Sequence, residues 1–113
     1  MNTLTTDYDA QGRLLKEQRR DKSGNLQVQD DFYYEYNGML TKHTHREYGN
    51  DNYSYEYRYE YDKSNRFAKI SVYRYNGGWY LYSYWTAKEW DSLGSVSKFW
   101  EYNGQNKVTC IVN

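Results

Sequence analysis

Five consecutive residues, His43-Thr44-His45-Arg46-Glu47, bring the only two histidines of the chain next to a carboxylate. Side chains two apart on a strand share a face, so His43, His45 and Glu47 would project together at intervals of about 7 Å. Two imidazoles and a carboxylate can ligate Zn²⁺ or a similar ion, with water in an open position. The plainer reading is a polar, solvent-facing strip in which Glu47 screens nearby cations. No further ligand residue stands near them in sequence, so no metal and no cofactor is assigned.

A second group of residues could bind without reacting. Tyr55, Tyr57, Tyr59, Tyr80, Tyr82, Tyr84, Trp85 and Trp100 lie in strand-like runs and offer flat faces with polar tips. Exposed, such rings stack on sugars while neighbouring Asn, Glu and Arg side chains bond the hydroxyls. Alternatively the same rings are the core. Leu, Ile and Val together number only 14 against 16 Tyr and 4 Trp, so an aliphatic core is not available.

Catalysis has little to draw on. No Gly-x-Ser-x-Gly, P-loop or His-Glu-x-x-His spacing occurs, and the carboxylates are spread evenly along the chain. Cys110, the single cysteine, sits in Val108-Thr109-Cys110-Ile111-Val112, where it reads as a small hydrophobe. The expectation is a protein that is not an enzyme. Fifteen Lys and Arg balance fifteen Asp and Glu, which gives no electrostatic case for nucleic acid or an anionic membrane. No apolar run approaches the roughly 18–20 residues of a spanning helix, and Met1-Asn2-Thr3-Leu4 leads into polar residues rather than a secretory apolar stretch.

The elements that must position these residues announce themselves by repetition. An aromatic residue followed by Asp or Asn, a short turn, a hydrophobic residue and a lysine recur as Tyr8-Asp9…Lys16, Tyr36-Asn37…Lys42, Tyr61-Asp62…Lys69 and Trp90-Asp91…Lys98. A glycine turn falls between each pair, at Asp21–Asn25, Tyr48–Asn52, Tyr75–Gly78 and Tyr102–Asn106. Such turns between alternating runs are hairpin signals, because several of their positions need positive φ. In Tyr53–Tyr61 every odd residue is tyrosine and every even one polar, which puts the rings on one face of a sheet. In Trp79–Trp90 the same alternation places Tyr80, Tyr82 and Tyr84 opposite Trp79, Leu81 and Trp85, as in a central strand covered on both faces. Ser83–Glu89 is the stretch expected to bend or bulge, and the charged run Leu14–Arg20 suggests a solvated or edge strand. The expected fold is all-β: one domain over 1–113, an antiparallel meander of about nine strands from four two-stranded repeats near 8–35, 36–60, 61–89 and 90–113, twisted and curved.

Tyr8-Asp9-Ala10-Gln11-Gly12-Arg13-Leu14 and Tyr61-Asp62-Lys63-Ser64-Asn65-Arg66-Phe67 resemble the YD repeats of the RHS family. Tyr36-Asn37-Gly38-Met39-Leu40 is a shortened copy, and Trp90–Val96 keeps only the frame. The period here is longer than the family's and the tyrosine content higher. The resemblance implies a β-hairpin array without catalytic activity, of the kind that forms shells or adhesive surfaces on secreted and cell-surface proteins. The chain is also similar to small tyrosine-rich secreted proteins of gut Bacteroides. Gly77-Gly78-Trp79-Tyr80-Leu81-Tyr82 is in addition similar to the hairpins of choline-binding cell-wall modules, whose period is shorter. The expected role is thus a non-enzymatic extracellular or envelope interaction module, secreted, periplasmic or cell-surface, presenting an aromatic sheet face. The alternatives are a glycan-binding module using the same rings and a structural spacer with no ligand. Partners are carbohydrate or another protein, with self-association through edge strands also open.

Overall fold

The structure, a computed structural model, describes residues 2–49 and 53–112. The described residues form nine strands: β1 (Thr3–Tyr8), β2 (Leu14–Arg20), β3 (Leu26–Tyr34), β4 (Leu40–Glu47), β5 (Tyr55–Tyr61), β6 (Phe67–Tyr75), β7 (Trp79–Trp90), β8 (Val96–Asn103) and β9 (Val108–Val112). They lie side by side in chain order, each antiparallel to the next, in one sheet that does not close on itself. The all-β antiparallel meander is therefore the fold. Among the described residues no helix is long and apolar enough to cross a membrane. The charged strand β2 is interior, between β1 and β3, rather than an edge. Its polar side chains are met from across the ladder, with Gln18 Nε2 donating to Gln29 Oε1 at 2.9 Å and Lys16 Nζ 4.0 Å from Asp31.

One turn design recurs at six of the connections. The first residue accepts a backbone bond from the fourth, and its own amide donates to the fifth; the pairs are Asp9/Gly12, Asp21/Gly24, Glu35/Gly38, Asp62/Asn65, Asp91/Gly94 and Asn103/Asn106. The fourth residue has positive φ each time, which Gly and Asn tolerate. In five of the six, the Asp or Asn Oδ1 also accepts the amides two and four residues on, as Asp9 does from Gln11 and Arg13. This side-chain bonding is why an Asx residue follows the strand-ending aromatic. The two alternating turn series expected from the sequence thus largely share one geometry. The second copy begins at Tyr34-Glu35, not at Tyr36-Asn37, since Glu35 holds the turn and Tyr36 is fully exposed. Asn37 supplies what Glu35 cannot, accepting the Met39 amide at 3.0 Å. The turn expected at 48–52 lies partly outside the described residues.

The aromatics that close these strands link successive repeats. Tyr34 and Tyr61 donate their hydroxyls to Leu14 and Leu40 carbonyls at 2.7 Å, and Trp90 donates its indole N–H to Phe67 carbonyl at 2.9 Å. Each acceptor sits where the ladder register shifts one repeat earlier. Arg13 and Arg66 then bridge their own turn carboxylates, Asp9 and Asp62, to the rings of Tyr34 and Trp90. The recurring frame of the repeat is explained by this stapling, without any ligand.

The expectation of an aromatic core is corrected. Among the described residues no hydrophobic side chain is buried, and the buried positions are Ser54, Glu56, Ser71 and Ser83. The molecule measures 49 × 35 × 21 Å, the thickness of a single sheet with its side chains. With no second layer, a side chain can be covered only by neighbours on the same face. Short polar residues are then hidden beneath larger ones, while rings lean on each other half-exposed. Strand β7 is interior in the ladder, between β6 and β8, yet neither of its faces is covered by another layer.

Candidate interaction face

Residues paired across antiparallel strands point to the same side, so the register assigns every side chain to one of two faces. From β3 to β8 one face carries Asp30 and Phe32, His43 and His45, Tyr55, Tyr57 and Tyr59, Ile70 and Val72, then Trp85 and Phe99. It is called here the Trp85 face. The other carries Tyr33, Lys42, Glu56, Arg58, Lys69, Tyr73, Tyr84 and Trp100, and is called the Trp100 face.

The strand β7 departs from simple alternation. Val72 pairs with Ser83 but Tyr73 pairs with Leu81, so an extra residue bulges at Tyr82. The bulge lies where Gly104 comes so close that an added Cβ would stand 2.6 Å from the Leu81 carbonyl oxygen. As a result Tyr80 pairs with Arg74, and Arg74 stacks over Tyr82 at 4.2 Å, both on the side of Trp85. Tyr84 points the opposite way, paired with Ser71 and Tyr102. Tyr80, Tyr82 and Tyr84 are therefore not on one face. A second irregularity between Ala87 and Trp90 falls in the stretch expected to bend.

On the Trp100 face, rings are covered by cations from neighbouring strands. Lys42 lies over Tyr33 at 4.3 Å, Arg58 over Tyr73 at 4.0 Å, Lys69 over Tyr84 at 4.6 Å and Lys88 over Trp100 at 4.8 Å. Each such contact stabilises by about 0.5–1 kcal/mol at an exposed site. Glu56 is buried beneath this layer, receiving Arg58 Nε at 2.6 Å and Thr44 Oγ1 at 2.9 Å. Tyr84 is further fixed by stacking on Tyr102 and donating to Asn106 Oδ1 at 2.6 Å. Thr86 Oγ1 and Trp100 Nε1, paired across β7 and β8, are buried with no hydrogen-bond partner.

On the Trp85 face, apart from Arg74 over Tyr82, rings cover rings. Phe32 stacks on His43 at 4.3 Å and His45 on Tyr55 at 4.6 Å, both nearly parallel. Tyr55 meets Tyr57 edge-on at 5.0 Å, and Trp85 meets Phe99 likewise at 4.8 Å. Beyond this file lies an apolar hollow of about 260 Å³ bounded by Phe67, Ile70, Trp85, Val96 and Phe99. At the far end of β7 a second hollow, about 390 Å³, mixes Tyr80 and Tyr82 with Glu101, Asn103, Gln105 and Thr109.

His43, His45 and Glu47 share this face, as the alternation requires, but they are half-buried rather than a solvent-facing strip. Asp30 Oδ1 accepts from His43 Nε2 at 2.8 Å and from His45 Nδ1 at 2.7 Å, and His45 Nε2 stands 3.4 Å from Glu47 Oε2. One ring nitrogen of each imidazole is thus taken up by the same carboxylate oxygen. No group of three or more His, Cys, Asp or Glu among the described residues is arranged to hold a metal ion. The histidines serve as flat rings in the aromatic file, oriented by Asp30. Desolvation raises the Asp30 carboxyl, and the hydrogen bonds and charge of His43 and His45 outweigh it, leaving it below the ordinary aspartate value. Asp30 was not among the residues singled out in sequence, since only strand register brings it beside them.

No family model matches the chain, and no curated protein matches it. Among solved structures, a protein of unknown function from Bacteroides fragilis superposes with a TM-score of 0.53 at 11% identity, covering 99% of this chain and 91% of that one. A DUF3836 family protein from Parabacteroides distasonis gives a TM-score of 0.38 at 17% identity, covering 94% of each chain. The likeness to the first is one of fold.

Proposed function

We propose that this chain is a non-enzymatic interaction module whose Trp85 face receives a partner. The carrying observation is the sorting of rings. Of the eight aromatic residues singled out in sequence, Tyr55, Tyr57, Tyr59, Tyr80, Tyr82 and Trp85 fall on one face, with Ile70 and Val72 among them. Tyr84 and Trp100 fall on the other, beneath lysines. An apolar face left open on a single sheet is the physical mark of an interaction site. An extracellular or envelope setting comes with the resemblance to YD repeats, and the reading assigns no catalytic residue.

A carbohydrate ligand is the second reading, favoured by the hollow where Tyr80 and Tyr82 stand beside Glu101, Asn103, Gln105 and Thr109. Tyr80 is 46% and Tyr82 48% exposed, enough for stacking against a sugar face. Both readings are tested by probing the immobilised chain with arrays of peptides and polysaccharides. Trp85→Ala should abolish a peptide signal, Tyr80→Ala and Tyr82→Ala a polysaccharide signal, and Trp100→Ala neither. A chain that binds no array member and does not bind itself is a spacer, which defeats both.

A further inference from the structure

A chain of 13.8 kDa exposes about 6,600 Å² when folded into an ordinary compact shape. This one exposes 7676 Å². The excess, about 1,000 Å², is of the size that one partner contributes to a standard interface, roughly 800 Å². It arises because the sheet is a single layer 21 Å thick with no hydrophobic side chain buried among the described residues. Sheets of this kind gain most of their stability by packing one face on another layer, about 10 Å away.

Only one face suits such packing. Across β5 to β8 the centre of the Trp85 face presents Tyr57, Tyr59, Ile70, Val72, Trp85 and Phe99, none of them charged. The Trp100 face instead carries Lys42, Arg58, Lys69 and Lys88 over its rings, and burying those cations would strip their hydration.

Building on the reading of the Trp85 face as an interaction surface, we infer that its occupant is a second copy of this chain. The two copies stack Trp85 face to Trp85 face in a twofold, two-layer sandwich. A self-complementary contact places each residue of the patch near its own copy or that of a neighbour, so any charge there would meet its like. The six central residues carry none. The charges that flank them on this face are opposite in sign, Glu101 paired with Trp85 and Arg74 lying over Tyr82. Asp30 is already met by His43 and His45 within its own chain. A formal net charge of zero leaves no long-range repulsion between copies. The apolar hollow beside Trp85 offers space into which rings of the opposing layer fit.

The test is sedimentation of the 113-residue chain over a dilution series. A dimer at micromolar concentration that dissociates on dilution is expected. Trp85→Arg should raise the dissociation constant by about 30-fold or more, the scale of an interface hot spot. Lys88→Glu, on the opposite face, should leave it unchanged. Because Trp85→Arg could also weaken folding, the wild-type chain is iodinated at high and low concentration. Tyr57 and Tyr59 should be protected only in the dimer, with Tyr73 equal in both. A chain that stays monomeric overturns the inference, as does a dimer whose Tyr57 and Tyr59 react as in the monomer. A monomer that still gives a Trp85-dependent array signal leaves the interaction face standing with another partner; one that gives none removes both.

Discussion

The two faces of this sheet use the same residue type to opposite ends. On the Trp100 face, Tyr33, Tyr73, Tyr84 and Trp100 each lie under a lysine or arginine from a neighbouring strand. On the Trp85 face, Tyr55, Tyr57 and Tyr59 have rings and imidazoles for neighbours, then Ile70 and Val72. A ring capped by a long cation is finished as surface: its face is occupied, and the cation keeps its head in water. A ring leaning on another ring covers only an edge, and the pair together leaves apolar area open. Tyrosine content alone therefore says nothing about binding in this chain. The partner across the ladder decides.

The largest effect that would separate the faces is expected at Arg58. Arg58→Ala removes the cation over Tyr73 and also leaves buried Glu56 with Thr44 as its remaining hydrogen-bond donor. Because Arg58 is itself half-exposed, the loss should be about 2 kcal/mol rather than the larger cost of breaking a fully buried pair. Arg74→Ala, the matching change on the Trp85 face, removes the cation over Tyr82 with no buried carboxylate depending on it, and should cost at most about 1 kcal/mol. Urea unfolding of the two variants at equal slope measures the difference. Equal losses would show that the Trp100 face is not the load-carrying layer.

Smaller, and independent of face, is the staple between repeats. Tyr61→Phe keeps the ring and removes the hydroxyl that Leu40 carbonyl accepts, at a cost of about 1 kcal/mol. Tyr36→Phe, at a fully exposed position, should change nothing measurable. If both variants unfold at the wild-type midpoint, the closing tyrosines act as rings alone. A change of opposite sign is expected beneath the Trp100 face. Thr86→Val replaces a buried hydroxyl that has no partner with a methyl of the same shape, and should stabilise by up to about 1 kcal/mol. A loss on this substitution would mean that the hydroxyl is satisfied in solution.

Much of this comparison could be read from the chain before folding, and what could not has definite causes. The period-two alternation of Tyr55 to Tyr59 transferred directly, because nothing interrupts the ladder between His45 and Lys42 on one side or Arg74 and Lys69 on the other. In β7 the same rule failed. The bulge at Tyr82 accompanies the close approach of Gly104 to Leu81, a contact between residues 23 positions apart that alternation does not encode. The second repeat starts two residues before its motif, since Tyr36-Asn37 has the motif's residue types while Glu35 holds the turn. Asp30 lay hidden because register, not spacing, sets it against His43 and His45. The single layer was illegible for a different reason. A strand apolar on both sides signals covering on both sides, whether the cover comes from the same chain or from another.

The finest distinction between the faces is expected in acid. Asp30 orients the imidazoles of the Trp85 face, and its carboxyl is held below the ordinary value of 3.8. A group depressed in the folded state binds its proton more readily when the chain unfolds. Its stabilising contribution is therefore complete above the unfolded value and disappears as the pH falls through the lower, folded value. Asp9, Asp21 and Asp62 are lowered as well. At Asp9, desolvation acts upward and is outweighed by hydrogen bonds from Arg13 and Gln11, while backbone bonds from Asn25 and Arg66 lead at Asp21 and Asp62. Stability should thus hold down to about pH 4 and decline below it, as these four carboxylates protonate. Only Asp30 belongs to a face; the other three sit in turns and are common to both. Asp30→Asn should accordingly weaken the protein at neutral pH and make the acid decline shallower than in wild type, while Asp62→Asn shallows it without disturbing the His43 and His45 ring resonances. Unfolding midpoints across the acid range, read alongside those resonances, separate the two variants. An acid limb in Asp30→Asn as steep as that of the wild type would mean that the carboxylate does not hold the imidazoles in place, and that the aromatic file stands by ring stacking alone.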